Sequence, residues 1–362
     1  MKNLRSKWIL SLIAIVIISV FFLINIQSNI TQENELIKII AKDLNLPPNE
    51  VNEEIISKIT SLSIKRNDIS GRKLNLNNLT KFNDLESLYI SDVMISNEKY
   101  LSRIYKLKEL NLSNVNIDVL KYNKLLNLTS LSINGCKIDK LDFIKNLNQL
   151  QILSITNNEL DPTSVICDIS NLEALKYLST LFLNNVSIQN INKLSKLEQL
   201  SSLSLTRINL ENVEILNSLS NLEFLQLSNA NLTSFDGFSN LKKLKFLYLE
   251  NNRITDLQNL STLKEIEELH LGYNPISDIS CLSELDKLET LTLNNTDISD
   301  CSVVLLLPNL GILDIRETQI KNLKYLETYP KILELYLNSK DIDDINQLIK
   351  NKNLIISDKF IG

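Results

Sequence analysis

The sequence predicts an α/β solenoid: a right-handed stack of short coils with a concave parallel β-sheet, convex 3-10 or short helical turns, and a helical N-terminal cap. Three observations carry this reading. A Leu-x-Leu or Leu-x-Ile pair begins at residues 62, 88, 110, 131, 153, 181, 203, 225, 247, 269, 291, 313 and 335, with gaps of 26, 22, 21, 22 and 28 and then 22 seven times. A fixed period of this size is the signature of a stacked solenoid. Within one period, Leu247 to Glu268 (LYLENNRITDLQNLSTLKEIEE), the inward positions are Leu247, Leu249, Asn252, Ile254, Leu257, Leu260, Leu263 and Ile266, so steps of two give way to steps of three. Spacing two is a strand with alternating faces, and spacing three suits 3-10 turns. Finally, a helix-like stretch precedes the first pair, where an end coil would otherwise expose its Leu stripe.

Taken in order, residues 1–7 hold Lys2, Arg5 and Lys7 and read as a cytoplasmic basic segment, and Trp8 to Ile26 follows as 19 uncharged, mostly apolar residues. That length crosses a bilayer, and the basic flank places everything after Gln27 outside. The alternative is a cleaved secretion signal, which wants small residues at its cleavage site. QSNIT at Gln27 to Thr31 offers Ser28 alone, two residues after the bulky Ile26, so an uncleaved anchor is favoured. The first reading gives a single-pass protein of the cell membrane, the second a secreted one, and both export the remainder.

Residues 27–60 form the cap, since Glu33 to Ile64 reads as two amphipathic helices broken at Pro47 and Pro48. Residues 61–345 are the solenoid. One coil cannot bury its own Leu stripe, so neighbours stack and their strands align; thirteen strands at roughly 4.8 Å span about 60 Å. Asp256, Asp278, Asp300 and Asp344 each follow the repeat Ile by two residues, where a carboxylate caps the convex turn. This explains DIDD at Asp341 to Asp344 better than a metal site does. The long gap after Leu153 contains Leu172, Leu175 and Leu178, whose spacing predicts a true convex helix and a bulge in the arc. Residues 346–362 close the stack with an incomplete coil around Ile355 and Ile356, and Lys350, Lys352, Asp358 and Lys359 discourage further strand addition.

The pattern resembles the leucine-rich repeat family, in the 22-residue form found in bacterial internalins, over most of Thr60 to Ile345. The helical cap with its closing ITSL is also similar. The family's Asn after the strand, which ties neighbouring coils by hydrogen bonds, stands at Asn67, Asn158, Asn252 and Asn274. Val93, Val115, Cys136, Val186, Ile208, Ala230, Thr296, Thr318 and Lys340 occupy that place elsewhere, implying an interrupted ladder and more apolar stacking. No immunoglobulin-like extension or LPxTG signal follows, a departure from wall-linked internalins. The resemblance implies a surface-exposed or secreted, adhesion-like protein that binds another protein through its concave face, internalins being holders of host receptors. An intracellular scaffold resembling 22-residue-repeat phosphatase regulators is the alternative, against which Trp8 to Ile26 argues.

Composition narrows the chemistry. A net charge of −5 supplies no basic field for nucleic acid. One histidine, His270, and the absence of GxGxxG, phosphate-loop, HExxH and paired CxxC motifs point to no catalytic residues, no metal, no cofactor and no small-molecule substrate. The four cysteines read as free thiols: Cys136 and Cys301 replace inward repeat residues, and Cys167 and Cys281 lie far apart.

The informative residues are those that the repeat does not dictate. Residues before, between and after each Leu pair face the concave side, and most are Ser, Thr or Asn. Phe182, Phe224, Phe246, Tyr248, Glu250, Glu268, His270 and, just past its strand, Tyr273 depart from that rule, and the adjacent coils at 225, 247 and 269 place most of them side by side. Clustered exposed aromatics predict a protein-binding patch, each ring contributing about 2 kcal/mol when covered. His270 beside Glu268 and Glu250 is a candidate pH-sensitive contact. Glu250, Glu268, Asp314 and Glu334, set against Arg316, tilt the later face acidic and suit a partner with basic surface.

Overall fold

The computed structural model describes residues 33–69, 73–116, 125–136, 138, 141–158, 166–210, 212–321, 323–329, 331–338 and 355–357. The apolar run at 8–26 and the DIDD stretch lie outside them, and among the described residues no helix is long and apolar enough to cross a membrane. The chain divides into two compact units, Met1–Lys137 and Ile138–Gly362.

The first unit begins with a helix over 33–43, which buries Leu36, Ile39, Ile40 and Ala41. Their spacing makes one helical face. Pro48–Glu50 is a 3-10 turn with proline at its start, and the helix Glu53–Ser57 is capped by Asn52, whose side chain accepts from Ile55 N at 3.0 Å. That helix leads into the strand Ser61–Lys65, where Thr60 O accepts from Glu86 N (2.8 Å) and Ser87 N (2.9 Å). Strands Ser61–Lys65, Ser87–Ser91, Glu109–Ser113 and Ser130–Asn134 then run parallel with Leu62, Leu88, Leu110 and Leu131 in register. A separate two-strand ribbon, unforeseen in the sequence, pairs Lys73–Asn75 with Met94–Ser96.

In the second unit ten parallel strands begin at Ile152–Thr156 and end at Ile355–Ser357. Leu153, Leu181, Leu203, Leu225, Leu247, Leu269, Leu291, Leu313, Leu335 and Ile356 share one row. Every landmark pair therefore opens a strand, and Ile356 adds a fourteenth to the thirteen of the repeat. The convex side is 3-10: Leu260 N donates to Leu257 O (2.8 Å), Leu263 N to Leu260 O (3.0 Å) and Ile266 N to Leu263 O (3.3 Å). Three residues per turn bring every third side chain to the same direction, so Leu257, Leu260, Leu263 and Ile266 are all buried.

That geometry corrects the expected convex helix. Leu175 N donates to Leu172 O (3.0 Å) and Leu178 N to Leu175 O (3.2 Å), and the regular element is a 3-10 turn, Leu172–Ala174. An α-helix would rotate a spacing of three away from the core by about 60° per step, whereas all three leucines are buried. The lengthened coil instead holds a second ribbon, Ile166–Asp168 with Ser187–Gln189.

Among the described residues, ten of the fourteen strands are followed, four positions after the landmark Leu, by a left-handed residue. Asp92, Asn114, Gly135, Asn185, Arg207, Asn229, Asn251, Tyr273, Asn295 and Glu317 have φ between +51° and +61°. This turns the next residue inward. Asn252 there donates through Nδ2 to Leu227 O (2.9 Å) and Leu249 O (2.8 Å) and accepts at Oδ1 from Ala230 N and Leu232 N (3.0 Å each). Asn274 repeats the pattern on Leu249 O, Leu271 O and Ile254 N. Cys136 imitates it weakly, its Sγ accepting from Val115 N at 3.5 Å. The two remaining expected ladder residues are corrected: Asn67 and Asn158 are exposed, and Asn157 is the buried one.

Asp256, Asp278 and Asp300 accept at Oδ1 from the backbone N of Gln258, Ser280 and Ser302, each at 2.8 Å. The Ser280 amide and hydroxyl hold the Asp278 carboxyl below its ordinary range. All four cysteines are free. Burial pushes the Cys167 and Cys301 thiols up to about 12 and Cys281 up to about 11, so they stay protonated and inert at neutral pH.

Candidate functional site: the aromatic and acidic sheet face

With the landmark leucines buried beneath, the alternate residues of the second unit's strands form rows on the solvent face. Three consecutive strands, with the residue two past the end of each, carry Phe224, Gln226 and Ser228; Phe246, Tyr248 and Glu250; and Glu268, His270 and Gly272. Parallel pairing aligns Phe224 with Phe246 and Glu268, and Gln226 with Tyr248 and His270. The 22-residue spacing thus converts positions far apart in sequence into a grid.

Four rings form a continuous series. Phe182 lies 6.1 Å from Phe224, reaching across the small Ser204 that stands between Phe182 and Gln226 in its row. Phe224 lies 5.4 Å from Tyr248, and Tyr248 stacks on His270 at 4.4 Å with 6° between the planes. Such pairs are worth about 1 kcal/mol each beyond buried area. Phe246 flanks the series, and all these rings are half-buried.

The carboxylates are held by neutral groups. Tyr248 OH donates to Glu268 Oε2 at 2.8 Å and Ser228 Oγ donates to Glu250 Oε2 at 2.7 Å. Burial, then the bond to Glu268, pushes the Tyr248 phenol well above its ordinary value, so it remains a donor. His270 Nδ1 is 3.2 Å from Thr292 Oγ1 and 4.0 Å from Glu250, while its buried Nε2 lacks a hydrogen-bond partner and lies 3.6 Å from Glu268.

Of the eight residues singled out in sequence, seven meet on or beside this ring series. Tyr273 does not join it: past the strand, at φ +59°, it is 49% exposed. One aromatic of the second unit's rows was missed. Tyr336, in the row of Tyr248 and His270, is buried, donates to Glu334 Oε2 at 2.6 Å and lies 5.9 Å below the Arg316 guanidinium. The same strand alternation identifies it. Arg316 itself is committed to Asp314, through bonds of 2.9 Å and 2.6 Å, and Asp314 is 1% exposed.

No group of three or more metal-binding side chains occurs among the described residues. The arrangement nearest to a catalytic one, Glu268 with His270 and Thr292, places its hydroxyl on a Thr292 only 4% exposed, away from any substrate.

The family of leucine-rich repeats (2 copies) matches residues 220–265, the segment that carries most of the grid. No curated protein matches the chain by sequence. Among solved structures, the internalin inlF of Listeria monocytogenes is 24% identical, with TM-score 0.68, 91% of this chain and 95% of that chain covered. The functional domain of InlJ from Listeria monocytogenes, which includes a cysteine ladder, is 21% identical, with TM-score 0.59 and coverages of 88% and 73%. A leucine-rich repeat protein of Leptospira interrogans is 22% identical, with TM-score 0.50 and coverages of 84% and 97%. These likenesses concern the fold.

Proposed function

We propose that this leucine-rich repeat solenoid of internalin-like fold is a noncatalytic module that binds another protein through the sheet face around Phe224, Phe246 and Tyr248. The observation that carries the reading is the series Phe182, Phe224, Tyr248 and His270, set on a rigid sheet where most coils present Ser, Thr or Asn. Side chains of this kind give large contact area at small entropy cost. Function here is the presentation of a preformed surface.

The proposed setting is outside the cytoplasm, with residues 8–26 as membrane anchor, or as a cleaved signal in a secreted form. Support comes from the uncharged run Trp8 to Ile26 and its basic flank. Protease added to intact cells expressing the chain, followed by mass measurement of the mature protein, tests this. Digestion of a full-length membrane-bound chain is expected; protection would move the protein to the cytosol.

For the binding face, the double variant Phe246→Ala with Tyr248→Ala is expected to abolish cross-linking to surface proteins on intact cells. Both side chains lie above the Leu core, so the melting temperature should change by less than about 4 °C. Undiminished cross-linking would dispose of this face as the binding site.

A further inference from the structure

We infer that the face around Tyr248 is completed by a cation from the partner: an arginine or lysine side chain on a polypeptide, received between Glu250 and Glu268 and against the neighbouring rings. The inference rests on the protein-binding reading above and specifies the partner's chemistry.

Charge on this face is unbalanced. Elsewhere in the second unit several carboxylates are paired with a lysine of the neighbouring coil, as in Lys245 with Glu223 (2.9 Å) and Lys287 with Glu265 (2.5 Å). Asp314, on the same face, has Arg316. Among the described residues Glu250 and Glu268 have no lysine or arginine within 4.0 Å, and His270 is the nearest basic group to both. It makes a hydrogen bond to neither, at 4.0 and 3.6 Å, and its ring lies under Tyr248.

Both carboxylates are partly covered, with side-chain exposures of 29% and 36%. A fixed negative charge in a partly desolvated place attracts a cation more strongly than one in open water. Each carboxylate has one oxygen engaged, Glu268 by Tyr248 and Glu250 by Ser228; an arriving N–H donor can use the other. Ring faces of Phe224, Phe246 and Tyr248 carry negative potential that favours the same visitor. Beside Glu250 the row continues with Gly272, and the Asn294 amide oxygen fills the place a side chain would take, 2.3 Å from where a Cβ would sit. An acidic or purely apolar partner would leave both carboxylates desolvated and uncompensated, a costly outcome.

The test uses the full chain in detergent micelles, immobilised and panned with a displayed library of short random peptides. It is run in parallel on the double variants Glu250→Gln with Glu268→Gln, and Phe224→Ala with Tyr248→Ala. The Gln variants keep shape and an acceptor for Tyr248, so the fold is retained. Peptides selected on the native chain should be rich in Arg or Lys next to apolar residues, and should bind the Gln variant about tenfold more weakly. Their affinity should also fall as salt rises from about 0.05 M to about 0.5 M. Peptides that lose affinity for the Ala variant but not the Gln variant would overturn the cation site and leave the protein-binding face standing. Selection of acidic peptides would also overturn it, and peptides indifferent to both variants, or no selection at all, would overturn both readings.

Discussion

Tyr273 occupies the strand-ending position where other coils use Asp92, Asn114, Gly135, Asn185, Asn229, Asn251 and Asn295, all at positive φ. Asn, Asp and Gly visit the left-handed region at low cost, and a tyrosine there is strained by about 1 kcal/mol. Tyr273→Asn is therefore expected to stabilise the protein by about 0.5–1 kcal/mol in urea unfolding; a lower midpoint would show that the ring's packing outweighs its backbone cost. The same position explains what was legible among single residues. Asn252 and Asn274 could be identified by counting five from the landmark Leu because the left-handed residue before each, Asn251 and Tyr273, sets the inward turn. Counting fails at Asn158, since Asn157 is not left-handed and the chain enters the core one residue early. It fails at Asn67 because Arg66–Asp68 is a 3-10 turn closed by Asp68 onto Lys65 N at 2.7 Å.

Among elements, the strands were the most legible part, because each Leu pair has period two and the sheet register follows from stacking like on like. Of the eight candidate site residues, the seven that meet owe their placement to this register, and Tyr273 escapes it by standing beyond the strand. The short ribbons were illegible, being three residues to a strand, with one strand of each in a coil lengthened to 26 or 28 residues and its partner in the ordinary coil that follows. On the convex side, close stacking of 3-10 turns sets a sharper limit than hydrophobicity. A Cβ on Gly237 would sit 1.8 Å from Val213 O and 2.3 Å from its carbonyl carbon. Both atoms are backbone, so relief requires the turns Val213–Ser218 and Asp236–Phe238 to part. Gly237→Ala is expected to cost about 3 kcal/mol, the upper end for overpacking; a loss below about 1 kcal/mol in urea unfolding would mean that these turns shift freely.

At the scale of the molecule, a stack in which each coil touches its neighbours should respond to damage locally, since stability is a sum of coil and interface contributions. Asn252 offers a clean probe within the second unit. Its side chain satisfies Leu227 O, Leu249 O, Ala230 N and Leu232 N, two groups of which it alone accepts from. Asn252→Ala leaves these buried backbone groups without that partner, at about 1–3 kcal/mol for each unsatisfied one. Native-state hydrogen exchange should therefore quicken first in the strands Phe224–Gln226, Phe246–Tyr248 and Glu268–His270, which border the lost bonds. Amides of Ile152–Thr156, several coils away, should exchange as in the native chain. Equal acceleration at both places would show that the ten-strand unit opens as one cooperative block, and the nearest-neighbour description would fail. Local opening would instead mean that the aromatic grid is kept in register by the asparagines directly beneath it, so that Asn252→Ala weakens partner binding as well as stability.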